Sequence, residues 1–355
     1  MFEKNIAEKL LNAIVDEHKK LKSINPDLFR GNMGICVAIY LLNKHCKNAS
    51  IEEYADMLLE KTARNIRMVQ NPLFDQGLSG IGWGLNLLYS RSCIDGDINE
   101  ILSSIDAHIY KSLCEENKPN SIENPEQLIG ILIYIVSRIK NENLQKDAFL
   151  YRINEASLRV IINKLETRMP PVLEAIYKDY YHGCLWEYPL LLFCAGETMR
   201  KGMYTDKIRS LLNEWSFYIC GQIPYYNVNR LALANSLSYI NSQLGNERIE
   251  SYTDLLYHSI NFDSLLNEIN YHEININEGW FYSFFCVHLA QKLMKKNHLK
   301  YEGLEPIKEK MLRLFWSDFE SYLNNLPQEG ADITLISGLS GIALLFALIP
   351  DILKE

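Results

Sequence analysis

The sequence lacks the cysteine spacings that would indicate a structural metal site or a redox centre. Its eight cysteines form no CxxC pair and no zinc-finger spacing. In a chain of 355 residues we expect them to be mostly reduced, buried and small hydrophobic side chains. They lie at positions 36, 46, 93, 114, 184, 194, 220 and 286.

The sequence also lacks a basic stripe and a long apolar run. With a net charge of -8 and no cluster of Lys and Arg, neither nucleic acid nor an anionic membrane surface is an expected partner. No apolar stretch reaches the roughly 18 residues that a membrane span needs. The opening segment MFEKNIAEKLLNAIVDEHKK predicts an amphipathic helix rather than a secretion signal, so we expect a cytoplasmic protein.

No segment has the pattern of a β-strand, and no linker rich in Pro, Gly or Ser divides the chain. Segments 51–69, 204–219 and 305–323 carry apolar residues on one helical face, which predicts half-buried helices. Segments 130–139 and 341–349 are apolar almost all round, which predicts fully buried helices. We therefore predict an all-α fold in one domain, residues 1–355, with outer and inner helices alternating.

One five-residue motif, GLSGI, occurs twice, at 77–81 and at 338–342, and each copy precedes an apolar segment that predicts a helix. A third copy, GNMG, begins at Gly31, and weaker copies occur between them. The repeats are about 50 residues apart, which indicates seven units of two helices each. The first glycine positions of the seven units are 31, 77, 127, 183, 231, 279 and 338.

Glycine suits a turn that enters a crowded inner helix, because that turn needs either a positive φ or a close backbone approach. An open helical array should end in atypical units with a polar outer face. Here the last unit is strongly apolar, so we expect it to pack against the first and close a ring. The predicted fold is an α/α toroid of seven helix pairs.

These turns resemble those of the lanthionine synthetase C-like proteins, and the resemblance extends from about residue 25 to the end. It implies an α/α toroid and a link to lanthipeptide biosynthesis. In that family, cyclases join cysteine thiols to dehydrated Ser and Thr residues of a precursor peptide. It also implies a zinc ion that activates the thiol, held by a W-C-x-G motif in the fifth unit and a C-H-G motif in the sixth.

At the positions that match those motifs, this sequence has Asn229, Asn277 and Glu278 in place of the three zinc ligands. The soft, thiolate-containing set that suits zinc is therefore absent on this alignment. We predict no zinc and no other cofactor, although a different register in the fifth unit would change the residue assigned there.

Two other positions of the family's site keep chemically capable residues. His182 matches the histidine of the fourth unit, an acid/base candidate in the cyclases, and it could equally be a turn residue that caps a helix. Glu123 stands where the family often has an aspartate, and its alternative interpretation is a solvated loop acid. These two are our candidate catalytic residues.

Aromatic residues gather near the turns of units four, five and six, where they could line a peptide groove or simply pack. Our candidate binding residues are Tyr181, Trp186, Glu278 and Trp280. The expected partner is a precursor peptide or a modification enzyme.

Two functions stay open, and the sequence does not decide whether the chain is an enzyme. The first is a zinc-independent or non-catalytic role, that of a pseudoenzyme, in peptide modification. The second is a carbohydrate-active α/α-barrel enzyme, which would need two neighbouring carboxylates at the mouth. The candidates for that pair are Asp75, Glu123, Glu187 and Glu278.

Overall fold

Helices form the regular secondary structure in this computed structural model, which describes residues 4–21, 25–115, 122–175, 184–221, 223–268, 280–296, 304–313 and 330–354. Within those ranges there is no β-strand, as predicted. A short 3-10 turn at Leu144–Lys146 precedes α7, and a further helical segment covers 304–313. The α-helices are α1 (Lys4–Lys20), α2 (Asn32–Cys46), α3 (Ala49–Ile66), α4 (Leu78–Ser90), α5 (Ile98–Cys114), α6 (Pro125–Lys140), α7 (Ala148–Ala175), α8 (Cys184–Arg200), α9 (Thr205–Ile219), α10 (Asn227–Leu244), α11 (Glu247–His258), α12 (Phe262–Glu268), α13 (Trp280–Lys296) and α14 (Leu339–Lys354).

The seven helices predicted to be inner all begin within a few residues of the predicted turns. Five of them start one residue after the first glycine position, as α2 does after Gly31. The other two, α6 and α10, start two and four residues before it. These seven helices are α2, α4, α6, α8, α10, α13 and α14.

Packing contacts divide the chain into two compact units, with the boundary inside α5. Unit 1 consists of residues 1–105, 271–282 and 312–355, and unit 2 of residues 106–270 and 283–311. The prediction of a single domain stays a prediction. In the part of the chain that the structure describes, no helix is long and apolar enough to cross a membrane.

In unit 2 the inner helices α6, α8 and α10 pack side by side, and α7, α9 and α11 pack behind them. A fully buried ion pair joins α5 to α6, with Arg138 Nη2 2.9 Å from Asp106 Oδ2. Tyr134 donates its hydroxyl proton to the same carboxylate at 2.5 Å. Since a buried charge is costly without a partner, this group fixes how the two helices meet.

In unit 1 the first inner helix, α2, packs between α4 and the last helix, α14, with α1 and α3 against it. His45 near the end of α2 lies 3.1 Å from the carbonyl oxygen of Ala347 in α14. The last repeat therefore packs against the first, which confirms the expected contact between them.

The three turns of unit 1, residues 25–31, 71–77 and 332–338, share one backbone design. In each, the N–H after the glycine donates back to the carbonyl of the turn's first residue. The distances are 2.7 Å to Asn25, 2.8 Å to Asn71 and 2.8 Å to Asp332. Each turn is thus closed by its own backbone before its inner helix begins.

Neighbouring turns are also joined to one another through the peptide groups of Phe29. Its carbonyl accepts from the N–H groups of Leu335 (3.0 Å) and Ile336 (3.3 Å), and its own N–H donates to Asp75 at 3.2 Å. The last, first and second repeats are therefore hydrogen-bonded in a row, in the order in which they pack.

The glycines of these turns are required by close approach rather than by φ. Gly31 has φ of -116°, in the extended region, and a Cβ there would overlap the backbone of Asn25 and Asp27. Gly77 and Gly338 face the equivalent atoms of their own turns. The sequence allowed two reasons for a glycine, a positive φ or a close backbone approach, and only the close approach applies here.

We expect Gly77→Ala to lower the free energy of unfolding by about 3 kcal/mol or more, because the added Cβ would displace the backbone of Asn71 and Leu73. The control is Gly221→Ala, whose Cβ would meet its nearest neighbour, the Tyr218 carbonyl oxygen, at an ordinary 3.4 Å. That change should alter stability by less than about 1 kcal/mol. Urea unfolding of both variants measures the difference, and equal losses would contradict the assignment.

His18 connects α1 to α2 and α3 inside unit 1. Its Nε2 lies 3.0 Å from Asn32 Oδ1, which can only accept, so Nε2 carries the proton. Nδ1 then accepts from the Tyr54 hydroxyl at 2.5 Å. Burial lowers the pKa of His18, the hydrogen bond to Asn32 opposes that shift, and the charge of Lys61 adds to it.

This lowered pKa makes stability depend on pH with a definite sign. The unfolded chain binds more protons at His18 than the folded one does, so stability is complete above about pH 6.5 and falls as the pH drops towards the folded-state pKa. We expect His18→Gln to reduce the loss of unfolding free energy between about pH 7.5 and about pH 5. The control His258→Gln, at an exposed position, should leave that loss unchanged, and an equal effect of both variants would disprove the role of His18.

Candidate functional site

Several residues that the sequence singled out lie outside the described residues. These are Tyr181, His182, Asn277 and Glu278. Trp186 lies in α8 and Trp280 is the first residue of α13, and the structure describes their backbone only. The roles predicted for all six stay predictions.

Glu123 is described, and its side chain is both 45% exposed and paired with two cations. It lies just before the cap of α6, where Asn124 accepts from the N–H of Glu126 at 2.8 Å. Its carboxylate contacts Arg168 and lies 3.6 Å from Lys164 Nζ, both on α7. Lys164 is nearly buried and also donates to the carbonyl of Ile122 at 3.3 Å.

Glu123 therefore anchors the loop ahead of α6 to α7. Its predicted catalytic role stays a prediction. To transfer a proton, this carboxylate would first have to break its contacts with Lys164 and Arg168. The pair of carboxylates that glycoside chemistry needs stays a prediction, because the side chains of Glu187 and Glu278 are outside the described set.

Asn229 lies in the first turn of α10, and its amide is both buried and incompletely hydrogen-bonded among the described residues. Its side chain is 2% exposed. Among the described residues its Oδ1 has no hydrogen-bond partner. A buried amide oxygen without a donor costs roughly 1–3 kcal/mol of stability.

The start of α10 is held firmly around this amide. Asn227 donates to Glu268 of α12 through its backbone N–H (2.8 Å) and through Nδ2 (2.6 Å). Arg230 donates to the carbonyl oxygens of Pro224 (2.7 Å) and Ser259 (2.6 Å). Sequence reasoning missed Glu268 and Arg230, because nothing in the local sequence pairs residues that far apart.

Aromatic and aliphatic surface is exposed just before α10. Tyr225 is 68% exposed and Ile223 is 44% exposed. The rings of Tyr225 and Tyr226 meet edge to face, with centroids 5.1 Å apart. This turn therefore places a partly apolar surface next to the N-terminus of α10, the helix that carries Asn229.

The donor set at the fifth unit does not fit zinc. A neutral amide takes the place at which the family resemblance puts a thiolate, and amide oxygen is a poor ligand for this metal. Among the described residues no three His, Cys, Asp or Glu side chains are grouped closely enough to hold a metal ion. The positions of the sixth unit lie outside the described ranges.

Cys36 and Cys194 do not supply an activated thiol. Cys36, Cys46, Cys194 and Cys286 are buried and unpaired by disulfides, in agreement with the sequence analysis. Burial raises the pKa of Cys194 to about 12 and also raises that of Cys36. These two thiols are therefore protonated at neutral pH and are packing groups rather than nucleophiles.

Comparison with known proteins agrees with this fold. A profile of the family described as "Lanthionine synthetase C-like protein" matches residues 3–131. The family resemblance is thereby confirmed. Among solved structures, one titled "Nisin cyclase" matches with a TM-score of 0.66 and 15% sequence identity, over 98% of this chain and 95% of that one. A search of curated proteins finds no match.

At this identity the structural likeness concerns the fold. The predicted fold class, an all-α toroid of inner and outer helices, is confirmed by it. The family profile covers the first two repeats and the start of the third, whereas Asn229 lies in a later one.

We expect Asn229→Leu to raise the free energy of unfolding by about 1 kcal/mol, because it removes a buried amide oxygen that lacks a donor. The matched control is Asn235→Leu on the same helix. Its amide donates to Cys286 at 2.8 Å and accepts from Tyr257 at 3.0 Å, so this change should destabilise the protein. Destabilisation by both changes, measured in urea, would show that Asn229 is satisfied.

Proposed function

We propose that this lanthionine synthetase C-like protein binds a ribosomal precursor peptide during lanthipeptide maturation, without zinc-dependent ring closure. The observation that carries the proposal is the buried amide of Asn229 at a position where the resemblance puts a zinc-bound thiolate. The family profile and the cyclase-like fold support the link to peptide modification.

Ring closure in the cyclases requires a cysteine thiol to become a thiolate, and a zinc ion with an open coordination position supplies it. Position 229 offers a neutral amide in place of a thiolate ligand, and the described residues include no group of three His, Cys, Asp or Glu side chains that could hold the ion instead. What they do offer is surface for a peptide, namely the exposed Tyr225 and Ile223 beside α10. Binding therefore follows from these groups more directly than catalysis does.

The partner is a peptide or an enzyme that carries one, since the expected substrates of such a pathway are ribosomal peptides. We assign the protein to the cytoplasm as part of this proposal, because unmodified precursor peptides are made there.

Metal content is the direct test. Elemental analysis of protein purified without an affinity tag or chelator should find far less than one zinc per chain. A zinc enzyme carried through the same buffers is the control for metal loss. Close to one equivalent of zinc would contradict the alignment at Asn229 and restore a cyclase function.

A thiol count tests the chemistry independently of the metal. A peptide with one cysteine and one dehydroalanine should keep its free thiol when incubated with the protein, with or without added zinc. Thiol loss faster than in the peptide alone would show that the protein closes rings.

A further inference from the structure

A cavity of about 380 Å³ lies in unit 1, where the last repeat meets the first. Its walls come from the end of α1, the first turn, the start of α2 and the segment that leads into the last turn. The lining residues are Leu21, Asn25, Arg30, Ile35, Ala331, Asp332, Ile333 and Thr334. None of these belongs to the site around Asn229.

The walls of this cavity are held by backbone contacts. Leu335 and Ile336 donate to the carbonyl of Phe29, which fixes the last turn against the first. Gly330 donates its N–H to Glu17 of α1 at 3.1 Å, which fixes the incoming segment on the other side. The cavity is therefore preformed, as small-ligand sites usually are.

Its two charged side chains differ in how they are used. Asp332 accepts from the N–H of Thr334 and the hydroxyl of Ser337, both at 2.8 Å. Burial works to raise the pKa of Asp332, but these hydrogen bonds and the charge of Arg30 outweigh it and lower the pKa. This carboxylate stays ionised and holds its own turn together.

Arg30 has spare hydrogen-bonding capacity. Its backbone N–H donates to Asp27 at 2.8 Å and its charge acts on Asp27 and Asp332, but within the described ranges its guanidinium donates no hydrogen bond. The side chain is exposed and lines the cavity beside the apolar residues Leu21, Ile35 and Ile333. An arginine is suited to grip a carboxylate through two parallel hydrogen bonds.

We propose that this cavity binds an acidic segment of the peptide, with a carboxylate on Arg30 and a neighbouring aliphatic side chain against Leu21, Ile35 and Ile333. The assignment rests on the proposed peptide-binding function and adds to it the class of sequence that is recognised. The cavity is large enough for one or two side chains and too small for a folded domain.

The test uses fluorescence anisotropy with two labelled peptides. One is a Gly/Ser peptide with a central Leu-Asp-Leu, and its twin has Leu-Asn-Leu. The wild-type chain should bind the acidic peptide about tenfold more tightly, and that preference should shrink as salt is added. Equal binding of the two peptides by the wild type would overturn the proposal.

Variants assign the preference to the cavity. Arg30→Ala should abolish the preference for the acidic peptide. Ala331→Phe should lower the affinity for both peptides, because the larger side chain fills the cavity. Arg67→Ala is the matched control, because Arg67 is an exposed arginine of unit 1 that does not line the cavity, and it should behave like wild type. A preference that survives Arg30→Ala would place the acidic site elsewhere and contradict the proposal.

A full-length precursor peptide separates this proposal from the broader one. If the precursor binds equally well to wild type and to Arg30→Ala, the proposed role of the cavity is wrong and the proposed function stands. If the precursor does not bind while the Leu-Asp-Leu peptide does so through Arg30, the proposed function is wrong and the cavity stands.

Discussion

The backbone of Phe29 is the interaction on which unit 1 depends. Its carbonyl takes hydrogen bonds from the last repeat and its N–H gives one to the second, so three repeats are aligned through one residue. Backbone groups of this kind are costly to leave unpaired when buried. The helices that follow these three turns are packed in the same order, with α2 between α14 and α4.

The sequence predicts this arrangement well where glycines mark the turns. Gly31, Gly77 and Gly338 stand at the starts of three inner helices, and the apolar runs after them identify those helices as buried. The sequence does not distinguish a positive φ from a close approach, since both favour glycine. Only the backbone path shows that carbonyl oxygens occupy the space where a Cβ would be.

The candidate site is less predictable, because its contacts join residues distant in the chain. Glu123 looks like a free loop acid in the sequence, but Lys164 and Arg168 pair with it from α7. Asn229 is marked by its place in the repeat, whereas its burial and its unpaired oxygen depend on packing that no local pattern contains. The family resemblance indicates which positions form the candidate site. The chemistry at each position depends on the residue that this chain has there.

The same turns explain how a rigid scaffold can carry variable chemistry. Arg30, Gln76 and Ser337 occupy the same position, directly before the glycine, and all three are exposed. The backbone hydrogen bonds that close the turns do not involve the side chain at this position. In the last turn the Ser337 hydroxyl adds a hydrogen bond to Asp332, whereas Arg30 places a charge at the exposed position of the first turn at little cost in stability. Since the last repeat reaches the first across the end of α1, this exposed position faces a cavity at that junction, which gives its side chain a ligand-sized space to act in.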